Sequence, residues 1–344
     1  MYTQMILGAI AGLSLFLYGM QLMGDGLQKV AGEGLKGIIR RLTKNRLMSV
    51  LVGMFVTTII QSSSATTVMV VGFVNAGLMT LAQAVGVVFG ANIGTTITGQ
   101  MVSFNLSQWA PIVIAAGLVA NMLTKNPKVK EASEIFIGFG ILFIGMSTLS
   151  NSLEPLKELP EFTNWILQYG SNPFIGVGIG LLMTLVLQSS SATIGVLIAL
   201  ASQGVLPITT AVFIIFGDNI GTCTTALISS LGTSRRGKQV ALFHLMINII
   251  GTIYFMLFLR GILVNVVESI DPGNVARQIA NAHTMFNIVN VIVLFPFTNL
   301  LVKLIQVLIP DSEDEEESIT RYLDKRILVT PSIALENTMY EFAA

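Results

Sequence analysis

Apolar and polar residues fall along this chain in long blocks. Residues 5–23 are almost wholly apolar, enough for a bilayer-crossing helix, which needs about 20 residues. Residues 24–46 alternate apolar with basic positions, as an amphipathic helix at a membrane interface does. Two apolar runs follow, 47–60 and 65–77, parted by Gln61-Ser62-Ser63-Ser64. Each is too short to cross, and together they predict a re-entrant helical hairpin over 47–77. Such backbone is tolerated at membrane depth only where protein or a water-filled cavity surrounds it. Residues 82–103 predict a span broken between Gly90 and Thr96, and 109–124 predict another. The order then restarts. Gly138–Leu153 aligns with Gly12–Leu27, 174–204 predicts a second hairpin, 208–231 a second broken span, and 239–259 and 274–309 further spans.

The expected fold is therefore an all-α polytopic membrane protein with two inverted-topology repeats. Each repeat holds one re-entrant hairpin and one broken helix. The expected units are 1–131, 132–259, an additional helix region over 260–309, and a cytoplasmic tail over 310–344. In that tail Asp311 to Glu317 reads as a solvated acidic linker, and Tyr322 to Ala344 as the stub of a helical domain.

Composition agrees. Of 344 residues, 53% are hydrophobic and only 11% charged, against about 25% charged in soluble domains. The formal net charge is zero and no basic block is interleaved with aromatics, so nucleic acid is not expected as a partner. The single cysteine, Cys223, excludes an internal disulfide framework and reads as a small apolar filler. The first apolar run has no basic segment before it and no cleavage site after it, so a retained helix is expected rather than a signal peptide. Loops 24–46, 125–133 and 232–238 carry twelve Lys and Arg, and loops 104–108, 152–173 and 260–279 carry three. The positive-inside rule then puts the N-terminus outside and the C-terminus in the cytoplasm. The hairpins enter from opposite faces, and the site is expected near mid-membrane where the repeats meet.

The candidate chemistry lies in motifs that occur twice. Gln61-Ser62-Ser63-Ser64-Ala65-Thr66 returns as Gln188-Ser189-Ser190-Ser191-Ala192-Thr193, and Gly90-Ala91-Asn92-Ile93-Gly94-Thr95 as Gly217-Asp218-Asn219-Ile220-Gly221-Thr222. The offset is 127 in both cases, and 16 of 38 aligned positions between 61–98 and 188–225 are identical. The polar atoms are kept while the apolar residues between them drift. Serine hydroxyls, free backbone N–H groups and helix N-termini suit an oxyanion. Gln carbonyls, Thr hydroxyls and unwound backbone carbonyls suit a small hard cation. With no Lys or Arg in either motif, an anion would be neutralised by dipoles and a co-bound cation, which couples their movement. Asp218 is the one acid in the motifs, opposite Ala91. It reads either as a sodium ligand or coupling residue or as a cap and backbone anchor. Gly8, Gly12, Thr57 and Thr184 read as packing residues. The paired patterns His244–Asn248 and His283–Asn287 read as satisfied interhelical hydrogen bonds.

The doubled Q-S-S-S-A-T and G-[AD]-N-I-G-T motifs resemble the type II sodium–phosphate cotransporter family, over about residues 1–309. The resemblance implies inverted repeats, alternating access, inward phosphate movement coupled to sodium, and often a homodimer. It puts phosphate near Ser62, Ser63, Ser64, Ser189, Ser190 and Ser191, with Gln61, Gln188, Asn92 and Asn219 close by. It suggests a sodium site of Gln188, Ser189, Thr222 and Thr225, and a symmetric one of Gln61, Ser62, Thr95 and Thr98. The expected partners are inorganic phosphate, sodium and the bilayer, with sodium as coupling ion and no covalent cofactor. The segment 323–335 is similar to the start of a PhoU-like helical domain. The short 152–173 segment points to a bacterial form, in the plasma (inner) membrane.

Three rivals are open. The same scaffold could carry another oxyanion or an organic phosphate. An intramembrane serine hydrolase using His244 or His283 would lack a G-x-S-x-G elbow. A passive channel would show no concentrative uptake.

Overall fold

A computed structural model of the chain describes residues 2–310 apart from Glu33, Lys44 and Ser171, together with Thr338. The described residues are predominantly helical, without a strand. In order the helices are α1 (Tyr2–Ala31), α2 (Gly34–Leu42), α3 (Arg46–Ile60), α4 (Ser63–Asn75), α5 (Leu81–Gly94), α6 (Thr96–Ser103), α7 (Ala110–Leu123) and α8 (Pro127–Leu153). Then come α9 (Pro160–Tyr169), α10 (Pro173–Leu187), α11 (Ser190–Ser202), α12 (Ile208–Gly221) and α13 (Cys223–Ser230). The last are α14 (Arg235–Tyr254), α15 (Arg260–Ile270), α16 (Val275–Leu294) and α17 (Thr298–Leu308). Among the described residues six helical stretches are long and apolar enough to cross a membrane: 2–31, 81–103, 127–158, 208–230, 235–270 and 275–308.

Glycine sets the spacing of the central pairs. An added Cβ on Gly90 would lie 1.9 Å from the Val50 carbonyl oxygen, and one on Gly217 would lie 1.9 Å from that of Val177. Gly53 meets the Val87 oxygen at 2.2 Å, and Gly180 meets the Ile214 oxygen at 2.0 Å. Every one of these residues has its counterpart 127 positions on, so α3 lies on α5 as α10 lies on α12. At one matched contact the sizes are exchanged: Gly86 faces Ser49, whereas Phe213 faces Gly176. Helix starts match too, since Asn45 caps α3 and Asn172 caps α10, each through its side-chain oxygen. Replacing such a cap costs about 1 kcal/mol.

α1 and α8 pack by the same device. A Cβ on Gly12 or Gly145 would strike the other helix's backbone at 2.3 Å or 2.2 Å, so the packing reading of Gly12 holds. Two apolar clusters flank the centre. One joins α1, α8, α11, α12 and α16 around Phe16, Phe213, Phe216, Phe255 and Phe286, and the other joins α3, α4, α5 and α14 around Phe89 and Phe243.

Several boundaries differ from the sequence reading. α1 does not stop at 23 but runs to Ala31, because Gly26 packs closely on Ile135 of α8 and Lys29 pairs with Glu134 at 2.7 Å. The separate amphipathic helix is only α2. The expected loop 260–279 is helical to Ile270, continued from α14 through a π turn at Phe255–Leu259, with Arg260 stacked 4.6 Å above the Phe213 ring. The 152–173 connection holds a 3-10 turn, Glu154–Glu158, and α9. The expected span 109–124 is the short helix Ser107–Leu123, below the length of the six long stretches. The acidic linker at 311–317 and the stub from Tyr322 onward lie outside the described residues, Thr338 excepted.

Candidate functional site

The chain reverses between α3 and α4 at one residue. Gln61 takes a left-handed conformation, φ 59°, and its counterpart Gln188, between α10 and α11, does the same at φ 53°. Such a conformation costs a non-glycine residue on the order of 1–3 kcal/mol and is kept only where the surroundings hold it. Here each Gln ends one helix, and the next serine begins another. Ser62 and Ser189 cap α4 and α11 by accepting from the N–H of Ala65 and Ala192, at 3.1 and 3.2 Å. The N–H groups of Ser63, Ser64, Ser190 and Ser191 stand in the first turns of those helices, where no intrahelical acceptor exists.

Both turns open into one cavity of about 270 Å³. It is lined by Gln61, Ser62, Ser63 and Ser64 together with Gln188, Ser189, Ser190 and Ser191, and by Thr95. Thr95 Oγ1 lies 3.4 Å from Ser190 Oγ, so the broken helix of one half touches the serine turn of the other. The fold thus brings the two motifs together at the first turns of two helices.

The remaining motif residues stand behind this wall. Thr98 Oγ1 donates to Gln61 Oε1 at 2.7 Å, and Thr225 Oγ1 to Gln188 Oε1 at 3.1 Å. Each Gln carbonyl is therefore joined to the half-helix after its own break. The first pair is buried and the second is exposed. Thr222 Oγ1 donates to the Asp218 carbonyl at 2.9 Å. Asn92 and Asn219 do not line the cavity. Asn92 bonds His244 Nε2 at 2.9 Å and Asn248 at 3.1 Å, while Asn219 donates to the Ile215 carbonyl at 2.8 Å. Asp218 is fully buried, accepting at Oδ1 from Thr184 Oγ1 at 2.6 Å.

Of the two histidine patterns, His244 makes the expected interhelical bond. His283 does not: neither ring nitrogen has a partner among the described residues, although Asn287 donates to its carbonyl. Neither histidine lines the serine cavity. Buried Cys223 contacts the carbonyls of Asn219 and His244 through sulfur. Among the described residues no cluster of three or more His, Cys, Asp or Glu is placed to hold a metal.

Sequence reasoning missed the third wall. Met20, Gln21, Gly24, Asp25 and Gln28 of α1 also line the cavity. Their signal was present, because 21, 25 and 28 recur at helical spacing on one face. Asp25 is the only charged side chain in the lining among the described residues. A second cavity, sharing Asp25 and Gln28, continues the opening toward Lys29, Gly32 and Leu35. Thr57 and Thr184, read as packing residues, do more than pack: their hydroxyls lie 2.9 and 3.0 Å from those of Thr66 and Thr193.

A family model described as Na+/Pi-cotransporter matches residues 15–151 and 152–271. YqeW of Bacillus subtilis, named as uncharacterized, is 30% identical over 86% of this chain and 95% of its own length. Escherichia coli YjbB, named provisionally as an inorganic phosphate export protein, is 23% identical over 98% of this chain, which spans 62% of that relative. The rat protein named sodium-dependent phosphate transport protein 2A is 23% identical over 70% of this chain and 58% of its own length. No solved structure matches.

Proposed function

Because this chain belongs to the Na+/Pi-cotransporter family, we propose that it moves inorganic phosphate inward across a bacterial plasma membrane, coupled to sodium by alternating access. One observation carries the reading: two serine turns 127 residues apart line a single cavity, at the first turns of two helices. Phosphate is taken by the hydroxyls and N–H groups of Ser62, Ser63, Ser64, Ser189, Ser190 and Ser191. The Gln61–Thr98 and Gln188–Thr225 pairs, with Ser62, Ser189, Thr95 and Thr222, supply oxygen ligands for sodium. With Asp25 the only charge lining the serine cavity among the described residues, an anion held there meets no side-chain cation, and bound sodium supplies the missing positive charge.

Inverted, re-entrant topology fits this reading. α4 leads from the cavity to Asn75, which holds the Ser234 N–H at 2.7 Å beside the start of α14. α11 leads to Gln203, bonded to Ser150 at 2.9 Å. Ser150 shares a third cavity with Asn274 and Ala276, beyond the far end of the helix that runs from Arg235 to Ile270. The two hairpins thus run to opposite ends of that rod. A homodimer in the bilayer completes the proposal.

The test is radiolabelled phosphate uptake into proteoliposomes under an inward sodium gradient, against potassium and choline. Accumulation with sodium alone is expected, and equal uptake with all three cations would overturn the coupling. The name of the Escherichia coli relative favours a second reading, export. Vesicles preloaded with phosphate in sodium-free medium distinguish it, since a sodium-coupled carrier retains phosphate there and a sodium-independent exporter releases it.

A further inference from the structure

The two halves match closely around their threonine pairs except at one position. Thr57 Oγ1 donates to Thr66 Oγ1 at 2.9 Å, and the corresponding Thr184 and Thr193 hydroxyls lie 3.0 Å apart. A carboxylate joins only the second pair. Thr184 Oγ1 donates to Asp218 Oδ1 at 2.6 Å, whereas the first half has Ala91 at that position. Asp218 is 0% exposed, and its Oδ2 has no hydrogen-bond partner among the described residues. No ion pair reaches it among the described residues. Burying a carboxylate with an oxygen unpaired costs several kcal/mol, a cost that a proton or a bound cation removes.

The surroundings are hard oxygens. Besides the carboxylate and two hydroxyls, the Gly180 carbonyl lies 2.9 Å from Thr184 Oγ1 and the Ser189 carbonyl 3.4 Å from Thr193 Oγ1. One negative charge among neutral oxygens matches an alkali cation, whereas calcium takes 6–8 oxygens including several carboxylates. We propose that Asp218, Thr184 and Thr193 bind one sodium ion, at a site in the second half alone and separate from the Gln–Thr pairs. It touches the serine turn through Thr193, whose hydroxyl reaches the Ser189 carbonyl. Loading this site therefore bears on the shape of the phosphate cradle. The proposal rests on the sodium-coupled reading above, but its test does not need transport.

Radioactive sodium binding to the purified protein, without phosphate, is measured at pH 6.5 and 8 for the wild type, Asp218→Asn and Thr193→Val. Asp218→Asn keeps an acceptor for Thr184 and removes the charge, and Thr193→Val keeps the charge and removes one ligand. The wild type is expected to bind one sodium more per chain than Asp218→Asn, and Thr193→Val to weaken that extra sodium about tenfold. Sodium should also raise the melting temperature of the wild type more than that of Asp218→Asn, relative to choline. Equal sodium counts and affinities in all three proteins would overturn the site. So would a wild type whose Asp218-dependent signal is proton uptake with no additional sodium retained. If Asp218→Asn does not fold, Thr193→Val decides alone, since unchanged sodium affinity there is also an overturning result. Absent phosphate flux with sodium binding still sensitive to position 218 would remove the transport reading and leave this site standing.

Discussion

Ser63 and Ser190 are buried, 3% and 7% exposed, and each opens a helix toward the cavity. A hydrogen bond to a charged group contributes about 1.5–3 kcal/mol, and 1.4 kcal/mol is about tenfold in affinity. Ser63→Ala and Ser190→Ala are each expected to raise the phosphate concentration for half-maximal uptake about tenfold, with the sodium dependence less changed. Unaltered saturation curves in both folded variants would dismiss the serine cradle. These residues were legible because a polar run inside an apolar block, repeated at one offset, has few packing explanations. Asp25 was not, because it sits among basic residues that read as an interfacial helix. Its role in the wall appears only once α1 is seen to continue. The Asn92 side chain illustrates the opposite case. Its motif is duplicated, yet in the fold it spends its polar atoms on His244 and Asn248 rather than on the cavity.

At the scale of elements, the hairpins and broken helices could be anticipated because polar residues interrupt apolar runs too short to cross. Helix extents were less visible. Residues 24–31 and 260–270 carry charges that look like loop, yet a helix tolerates them where side chains such as Lys29 reach a partner or water. The glycine contacts depend on which faces meet, and no local pattern gives that. They nonetheless make a sharp prediction. In Gly90→Ala and Gly217→Ala a methyl would enter a facing backbone carbonyl, and overpacking of this kind costs about 1–3 kcal/mol. Gly72 and Gly178 have nothing within 4 Å of an added Cβ, so alanine there should be neutral or stabilising by about 0.5–1 kcal/mol. Thermal melts of the four purified variants check this, and uniform behaviour would refute the packing account.

At the scale of the molecule, two openings are separated by one apolar layer. The serine cavity touches the start of α11 at Ser190 and Ser191. The third cavity, about 590 Å³, touches its end at Ile198, Ala201 and Ser202. Between them Phe16, Ile194 and Leu197 are all but inaccessible, and a Cβ on Gly195 would press the Phe16 ring at 2.7 Å. Cys223 is the only cysteine and is buried, so single introduced thiols can be read cleanly. In sealed vesicles Ser202→Cys should react with an impermeant thiol reagent from the face that leaves Gln28→Cys untouched. Labelling of both from one face would show that the cavities share a side.

That layer is thin. From Ser191 to Ile198 is seven residues, about 10 Å of helix, against a hydrocarbon core of about 30 Å. Water in the cavities conducts, so an applied voltage falls mainly across these few side chains and the local field is about threefold steeper than across lipid. An ion shifted by a single hairpin displacement would traverse most of the potential, worth about 2.3 kcal/mol per charge per 100 mV. Small motions in this fold are thus electrically large.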